Sequence, residues 1–118
     1  FNIIANNIYS NNENLIFNDC GALINIKIKD IIYIYSENNK NVIKTKHNKI
    51  VVHKSLDFLL SKLPKYFLKS HRACVVNIKQ ISYIKNEIIF SDGTKTTLLS
   101  RTYKKKVIDE CLKTNTNH

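Results

Sequence analysis

The chain has 118 residues, of which 43% are apolar, and a formal net charge of +10, so it fits one small domain with a modest hydrophobic core. No apolar run approaches the roughly 20 residues of a membrane-spanning helix, and the three cysteines have no paired short spacing. These features exclude a membrane span, a disulfide framework and a CxxC zinc site, and they favour a reducing, cytoplasmic setting.

The first residues differ in composition from the rest of the chain. Residues 1–12 are predicted to be a linker remnant, residues 13–114 to form the domain, and residues 115–118 to be a C-terminal tail. Because the chain begins with Phe1 and not with Met, we expect it to be a fragment of a longer protein. We identify no internal repeat.

Residues 14–53 show the pattern of β-strands. Ala22 to Ile28 alternates apolar with polar residues, which is typical of a half-buried strand. Ile31 to Tyr35 is a β-branched and aromatic run that predicts a strand with both faces partly buried. A turn is expected at 19–21 and a polar loop at 36–41. Strands are predicted at 15–17, 22–28, 31–35, 42–46 and 49–53.

A short helix is predicted next, capped by Ser55 and ended by Pro64. A basic segment, Lys69 to Arg72, then leads into a small apolar strand at 73–76. Asp92-Gly93 is a strong hairpin signal, and Ser100 is expected to cap a second helix. The remaining strands are predicted at 81–84, 87–91 and 95–99. The expected fold is therefore mainly β, with antiparallel sheets and two short helices.

Positive charge is concentrated in the second half of the chain. Residues 65–106 carry ten Lys or Arg against Glu87 and Asp92, which is the electrostatic pattern of a phosphate-binding surface. The first turns of the second helix hold Arg101 and Lys104–Lys106, although a helix N-terminus favours acidic residues. A bound phosphate would make this order favourable. The alternative is a solvated basic surface that serves solubility.

The order of these pieces resembles the LytTR DNA-binding domain, the C-terminal effector of bacterial response regulators such as the Agr- and Vir-type virulence regulators. The resemblance covers residues 14–113. It rests on Asp30-Ile31-Ile32-Tyr33-Ile34, Ser55-Leu56, Phe67…His71-Arg72…Val75-Val76-Asn77, Ile81, Asp92-Gly93 and Ser100-Arg101-x-Tyr103.

The resemblance implies about ten strands in three sheets, and binding of double-stranded DNA at tandem direct repeats near promoters through loops in the major groove. It also implies an N-terminal receiver domain in the full-length protein. It leaves open whether a second copy binds beside the first. The family's DNA-contacting loops fall on Ser36–Asn41, Lys69–Arg72 and Ser100–Lys105.

Individual roles follow from this placement. The candidates for contacts with bases are Asn41, Arg72 and Arg101, since Asn pairs naturally with adenine and the planar Arg fork matches guanine. The candidates for contacts with the DNA backbone, or for positioning the loops, are Asn39, Lys40, Lys69, Ser70, His71, Ser100, Thr102, Tyr103, Lys104 and Lys105.

Two other functions use the same residues. An RNA-binding β domain would present the same basic surface, although aromatic residues do not alternate with basic ones as single-strand stacking would require. A nuclease or phosphodiesterase would depend on His71, for which the sequence offers no partner. His71 and Cys74 alone do not make a zinc site, and Cys74 is expected to be a core residue. We therefore predict no catalytic residues, no metal and no cofactor.

Overall fold

The fold is described by a computed structural model that covers residues 13–116, with side chains up to Lys113. The predicted linker 1–12 and the last two residues of the predicted tail lie outside this range. Within it, ten strands form three antiparallel sheets together with two α-helices, which confirms the predicted fold class. The strands are β1 (Asn14–Asp19), β2 (Ala22–Lys27), β3 (Ile31–Glu37), β4 (Lys40–Thr45), β5 (Lys49–Val52), β6 (Phe67–His71), β7 (Cys74–Asn77), β8 (Ile81–Ile84), β9 (Ile88–Phe90) and β10 (Lys95–Thr96).

The largest sheet has five strands in the order β5-β4-β3-β7-β6. The hairpin β1-β2 forms a second sheet, and β10-β9-β8 form a third. The helices are α1 (Leu56–Ser61) and α2 (Arg101–Thr116). Because β7 returns to pair with β3, segments some forty residues apart in the sequence lie side by side.

Two hydrophobic clusters cover the two faces of the five-stranded sheet. One lies under the β1-β2 hairpin and α1, and the other under the three-stranded sheet and α2. A β-bulge in β3 turns Ile32 and Tyr33 toward the second cluster, whereas Ile31 and Ile34 lie in the first. All three isoleucines are fully buried, which confirms that this strand is buried on both faces.

Helix α1 forms as its sequence predicts. The Ser55 hydroxyl accepts a hydrogen bond from the N–H of Phe58 at 3.0 Å, and Leu56 and Leu59 are buried. The helix ends at Ser61, three residues before Pro64, and the proline carbonyl accepts the N–H of Phe67. Pro64 therefore introduces β6 and does not itself end the helix.

The prediction that the chain has no internal repeat is wrong. Residues 28–34 and 78–84 share the pattern Ile-Lys-x-Ile-x-Tyr-Ile, and each segment is a 3₁₀ turn followed by a strand with a bulge before its tyrosine. In each copy the carbonyl of the third residue accepts a backbone N–H from the residue after the partner strand. Asp30 accepts from Lys46 at 2.9 Å, and Gln80 accepts from Ser91 at 2.7 Å. The two copies differ at two positions, Asp30 against Gln80 and Ile32 against Ser82. The second difference follows burial, because β3 is buried on both faces whereas β8 is partly exposed.

Candidate nucleic-acid interface

One end of the five-stranded sheet collects the three segments that were predicted to contact DNA. We call it the loop end and define it as the turn Asn38–Asn39, the turn Arg72–Ala73 and the start of α2, Ser100–Lys105. The N–H of Ser36 donates to the carbonyl of Ala73 at 2.9 Å, which places the first two segments side by side.

Ser70 joins the second segment to the third. Its hydroxyl donates to the carbonyl of Leu98 at 2.7 Å, and its carbonyl accepts the N–H of Ser100 at 2.8 Å. The side chain is fully buried. The strand predicted at 95–99 ends at Thr96, and beyond it the Leu98 carbonyl accepts the side-chain hydroxyl of Ser70 instead of a backbone N–H. Ser70 is thus a positioning residue for α2.

The first segment is a tight turn and not the polar loop that was predicted at 36–41. Glu37 pairs with Lys40, and Asn38 and Asn39 between them have φ angles of 52° and 63°. Two successive positive φ angles define a type I′ hairpin turn, which asparagine tolerates better than most residues. Asn39 and Lys40 are exposed and available to a ligand.

Asn41 lies inside the fold, at only 7% exposure. Its Oδ1 accepts from the Ser36 hydroxyl at 2.7 Å, and its Nδ2 donates to the Lys54 carbonyl at 2.7 Å. The side chain therefore joins β3, β4 and the segment after β5, and the structure does not support the predicted contact with a base. Sequence reasoning placed it in a loop because the polar run from 36 to 41 hides the true turn.

The second segment is a two-residue turn at the end of β6. Lys69 and Ser70 belong to the strand, and only Arg72 and Ala73 lie between the paired residues His71 and Cys74. Arg72 is exposed, and its side chain forms no hydrogen bond or ion pair with residues 13–116. Its guanidinium therefore has no partner among the described residues, and its contact with a base stays a prediction.

His71 and Lys69 have partners inside the protein. Nδ1 of His71 accepts the N–H of Ala73 at 3.0 Å, so the neutral ring carries its proton on Nε2. Nζ of Lys69 lies 2.9 Å from Oδ1 of Asp57, and the hydrogen bond and charge of that carboxylate raise the pKa of the lysine. The side chain of His71 therefore shapes the turn, whereas that of Lys69 joins β6 to α1 with its charge already paired.

The third segment is the first turns of α2. The carbonyl of Ser100 accepts the N–H groups of Tyr103 and Lys104, whereas its buried hydroxyl has no hydrogen-bond partner among the described residues. The first turn contains no acidic residue, and Arg101 and Thr102 are exposed. Lys105 pairs with Asp109 at 3.0 Å, four residues along the helix. The helix therefore presents positive charge together with its own positive end.

Lys54 belongs to the same end of the sheet, and sequence reasoning missed it. It follows β5, whose residue Val52 pairs with Asn41, so it lies beside the β3-β4 turn. Its ammonium lies 5.0 Å from the centre of the Phe58 ring, in cation–π geometry. The sequence could have identified Lys54. The predicted hairpin of strands 42–46 and 49–53 sets residue 53 opposite residue 42, so residue 54 lies beside the loop that precedes the first of these strands.

Cys74 is a buried core residue, as its strand pattern predicts, and burial raises the pKa of its thiol to about 11. At pH 8 only about one thousandth of such a thiol is ionised. With Nδ1 of His71 bonded to Ala73, the pair has neither a reactive thiolate nor a free base. The geometry gives no support to nucleophilic catalysis at this position.

The cysteines should therefore differ in reactivity. We expect iodoacetamide at pH 8 to alkylate exposed Cys20 first, half-buried Cys111 more slowly, and Cys74 only after unfolding, because the thiolate is the reactive form. Mass spectrometry of a time course checks the order, and the same reaction in urea, where the three should react alike, is the control. Native-state labelling of Cys74 at the rate of Cys20 would contradict the buried placement.

None of the helices in the described part of the chain is long and apolar enough to cross a membrane. The sequence matches the LytTr DNA-binding domain family over residues 21–110. It is 31% identical over 93 residues to the sensory transduction proteins LytT of Bacillus cereus and Bacillus anthracis, covering 73% of this chain and 37% of each relative. The chain thus spans little more than a third of the length of these relatives. A solved LytTr DNA-binding domain from Bacillus cereus superposes with a TM-score of 0.68 at 17% identity, covering 81% of this chain and 96% of that one.

Proposed function

The chain belongs to the LytTr DNA-binding domain family, and we propose that it binds double-stranded DNA with sequence specificity as the effector domain of a response regulator that controls transcription. The relatives named as sensory transduction proteins support this wider role. In the full-length protein, residues 1–12 would link an N-terminal receiver domain to the DNA-binding domain at 13–114. Such a regulator would act in the cytoplasm, at tandem direct repeats near promoters.

The observation that carries the proposal is the convergence of separate basic segments at the loop end. Arg72 and Arg101 lie 29 positions apart in the sequence, and the two hydrogen bonds of Ser70 hold their segments together. Strands and a helix therefore fix the backbone positions from which these charged side chains extend, so little backbone entropy is lost when they meet a ligand. Positive charge gathered on one rigid surface suits a polyanion such as duplex DNA.

We assign different tasks to the arginines and to the lysines. Arg72 at its turn and Arg101 at the first residue of α2 are proposed to contact bases in the major groove, where a planar guanidinium matches guanine O6 and N7. Lys40, Lys54 and Lys104 are proposed to contact phosphates of the DNA backbone. A phosphate at the start of α2 would meet free N–H groups as well as lysine, which offsets the unfavourable order of charges along this helix.

Selection from a random duplex library tests the proposal most directly. We expect an enriched motif that recurs as a direct repeat, and we expect the selected duplex to outcompete an RNA hairpin of the same length in a mobility-shift assay. Incubation with magnesium should leave the DNA uncut. Preference for the RNA, or enrichment of no motif, would count against sequence-specific duplex binding.

Lys104→Ala should weaken binding to all duplexes alike. Each phosphate contact contributes about 0.9 to the slope of log K against log salt, so the slope should fall by about 1 when the lysine is removed. Binding isotherms on specific and unrelated duplexes at several salt concentrations check both effects. Lys113→Ala is the matched control, because it removes the same charge near the other end of α2 and should leave the slope unchanged.

A further inference from the structure

Three side chains of different chemistry converge beside the loop end. Asp19 ends β1, Cys20 is the first residue of the β1-β2 turn, and His53 follows β5. One ligand atom from each lies within 4.8 Å of the other two. A carboxylate oxygen, a thiol sulfur and an imidazole nitrogen are the three kinds of ligand that Zn²⁺ takes from proteins.

The carboxylate of Asp19 is already held in place. It is buried, its Oδ1 accepts the backbone N–H of His53 at 2.8 Å, and its Oδ2 lies 3.1 Å from Nδ1 of the same residue. These contacts hold both carboxylate oxygens of Asp19 in place, so the group is a fixed oxygen donor.

The spacing of these atoms fits a tetrahedral ion. With bonds of 2.0–2.1 Å to nitrogen and oxygen, two ligands of a tetrahedral Zn²⁺ stand about 3.3 Å apart, close to the observed 3.1 Å between Nδ1 and Oδ2. The Cys20 thiol is exposed, and its sulfur lies within 4.8 Å of the other two ligand atoms, so rotation of this side chain can adjust it to the Zn–S bond length of about 2.3 Å.

We propose that Asp19, Cys20 and His53 form a binding site for Zn²⁺ or a similar divalent transition metal, with the fourth position open to water. On binding, the thiol of Cys20 loses its proton to solvent as the metal–sulfur bond forms. Nδ1 of His53 likewise gives up the proton that it shares with Asp19, and the neutral imidazole that binds keeps its proton on Nε2. The proposal does not depend on DNA binding, since none of the three residues is assigned a DNA contact.

The site lies in a position to influence the loop end. His53 precedes Lys54, whose carbonyl holds the buried amide of Asn41, and Asn41 follows the β3-β4 turn by two residues. Without a metal, the same Asp19–His53 pair would only tether the β1-β2 hairpin to the five-stranded sheet. The two roles differ in their use of the Cys20 thiol: a metal site would bind through it, whereas the Asp19–His53 tether does not involve it.

Co²⁺ is the first probe, since a bond from Co²⁺ to a thiolate has a distinct ultraviolet absorption. We expect one equivalent of Co²⁺ to produce this absorption in the 118-residue chain, and one equivalent of Zn²⁺ to abolish it and slow the alkylation of Cys20. Competition against a chromophoric chelator then measures the affinity for Zn²⁺. Failure of the unaltered chain to bind either metal would overturn the proposal.

Cys20→Ser and His53→Ala should each weaken the binding of Zn²⁺ about tenfold or more, and Cys20→Ser should abolish the cobalt–thiolate absorption. The side chain of His53 is 50% exposed and Cys20 is exposed as well, so these variants should fold, and thermal melting without metal verifies this. Cys111→Ser and His47→Ala are the matched controls outside the cluster and should bind like the unaltered chain. Equal affinity in all five proteins, or loss confined to the controls, would assign the metal elsewhere and overturn the proposal.

Discussion

Phe90→Ala is expected to lower the free energy of unfolding by about 3–5 kcal/mol, since removing a buried phenyl group loses its transfer energy and leaves a cavity. Phe90 is 1% exposed and lies in the cluster between the five-stranded sheet and α2. Its ring stacks parallel to that of Tyr33 with 5.1 Å between centroids. The urea concentration at the midpoint of unfolding should fall. The dependence of the unfolding free energy on urea concentration should stay unchanged if the folded and unfolded states expose the same surface as before.

The loss is large compared with the stability of a small domain, which is typically about 5–15 kcal/mol in total. Phe90→Leu, which retains most of the apolar volume, provides a smaller step that stays measurable if the alanine variant does not fold. Tyr83→Ala is the control, because this aromatic residue on the neighbouring β8 is 50% exposed and should lose much less. Equal losses at positions 83 and 90 would contradict the described core.

The sequence predicted well those elements whose pattern is local. The alternation in β2, the fully apolar run in β3 and the Asp92-Gly93 turn all correspond to described elements, because each depends on residues that are neighbours in the chain. Ser55 likewise caps α1 through a contact with Phe58, three residues away. In each case the physical cause lies within one turn or one strand.

The site depends more on contacts between distant residues, and there the prediction was less complete. Nothing in the run from 36 to 41 shows that Asn41 will find the carbonyl of Lys54, thirteen residues away. The pairing of Lys69 with Asp57 and the hydrogen bond of Ser70 to Leu98 likewise arise only when α1 and α2 pack beside β6. The cluster of Asp19, Cys20 and His53 cannot be seen in the sequence for the same reason, because Cys20 and His53 lie 33 positions apart.

The predicted base contact of Arg72 can be tested without disturbing the fold. The basic segment predicted a DNA-contacting loop, and the structure shortens that loop to two residues with the arginine exposed at its tip. Since its guanidinium has no protein partner in the described region, removing it should leave folding intact. A loss of DNA affinity can then be attributed to a lost contact, provided that the melting temperature is unchanged.

Arg72→Ala should cost about 1–3 kcal/mol of binding free energy on the preferred duplex and relax the preference at one base pair. The reason is that a guanidinium donating to guanine O6 and N7 discriminates between bases, whereas a phosphate contact does not. Affinities for a set of duplexes with every single-base change show which position loses its preference. Arg72→Lys keeps the charge but not the planar fork, so it should retain affinity for unrelated DNA and still lose discrimination. If both variants instead weaken all duplexes equally, Arg72 contacts the backbone, and the specificity must come from Arg101 or from the shape of the DNA.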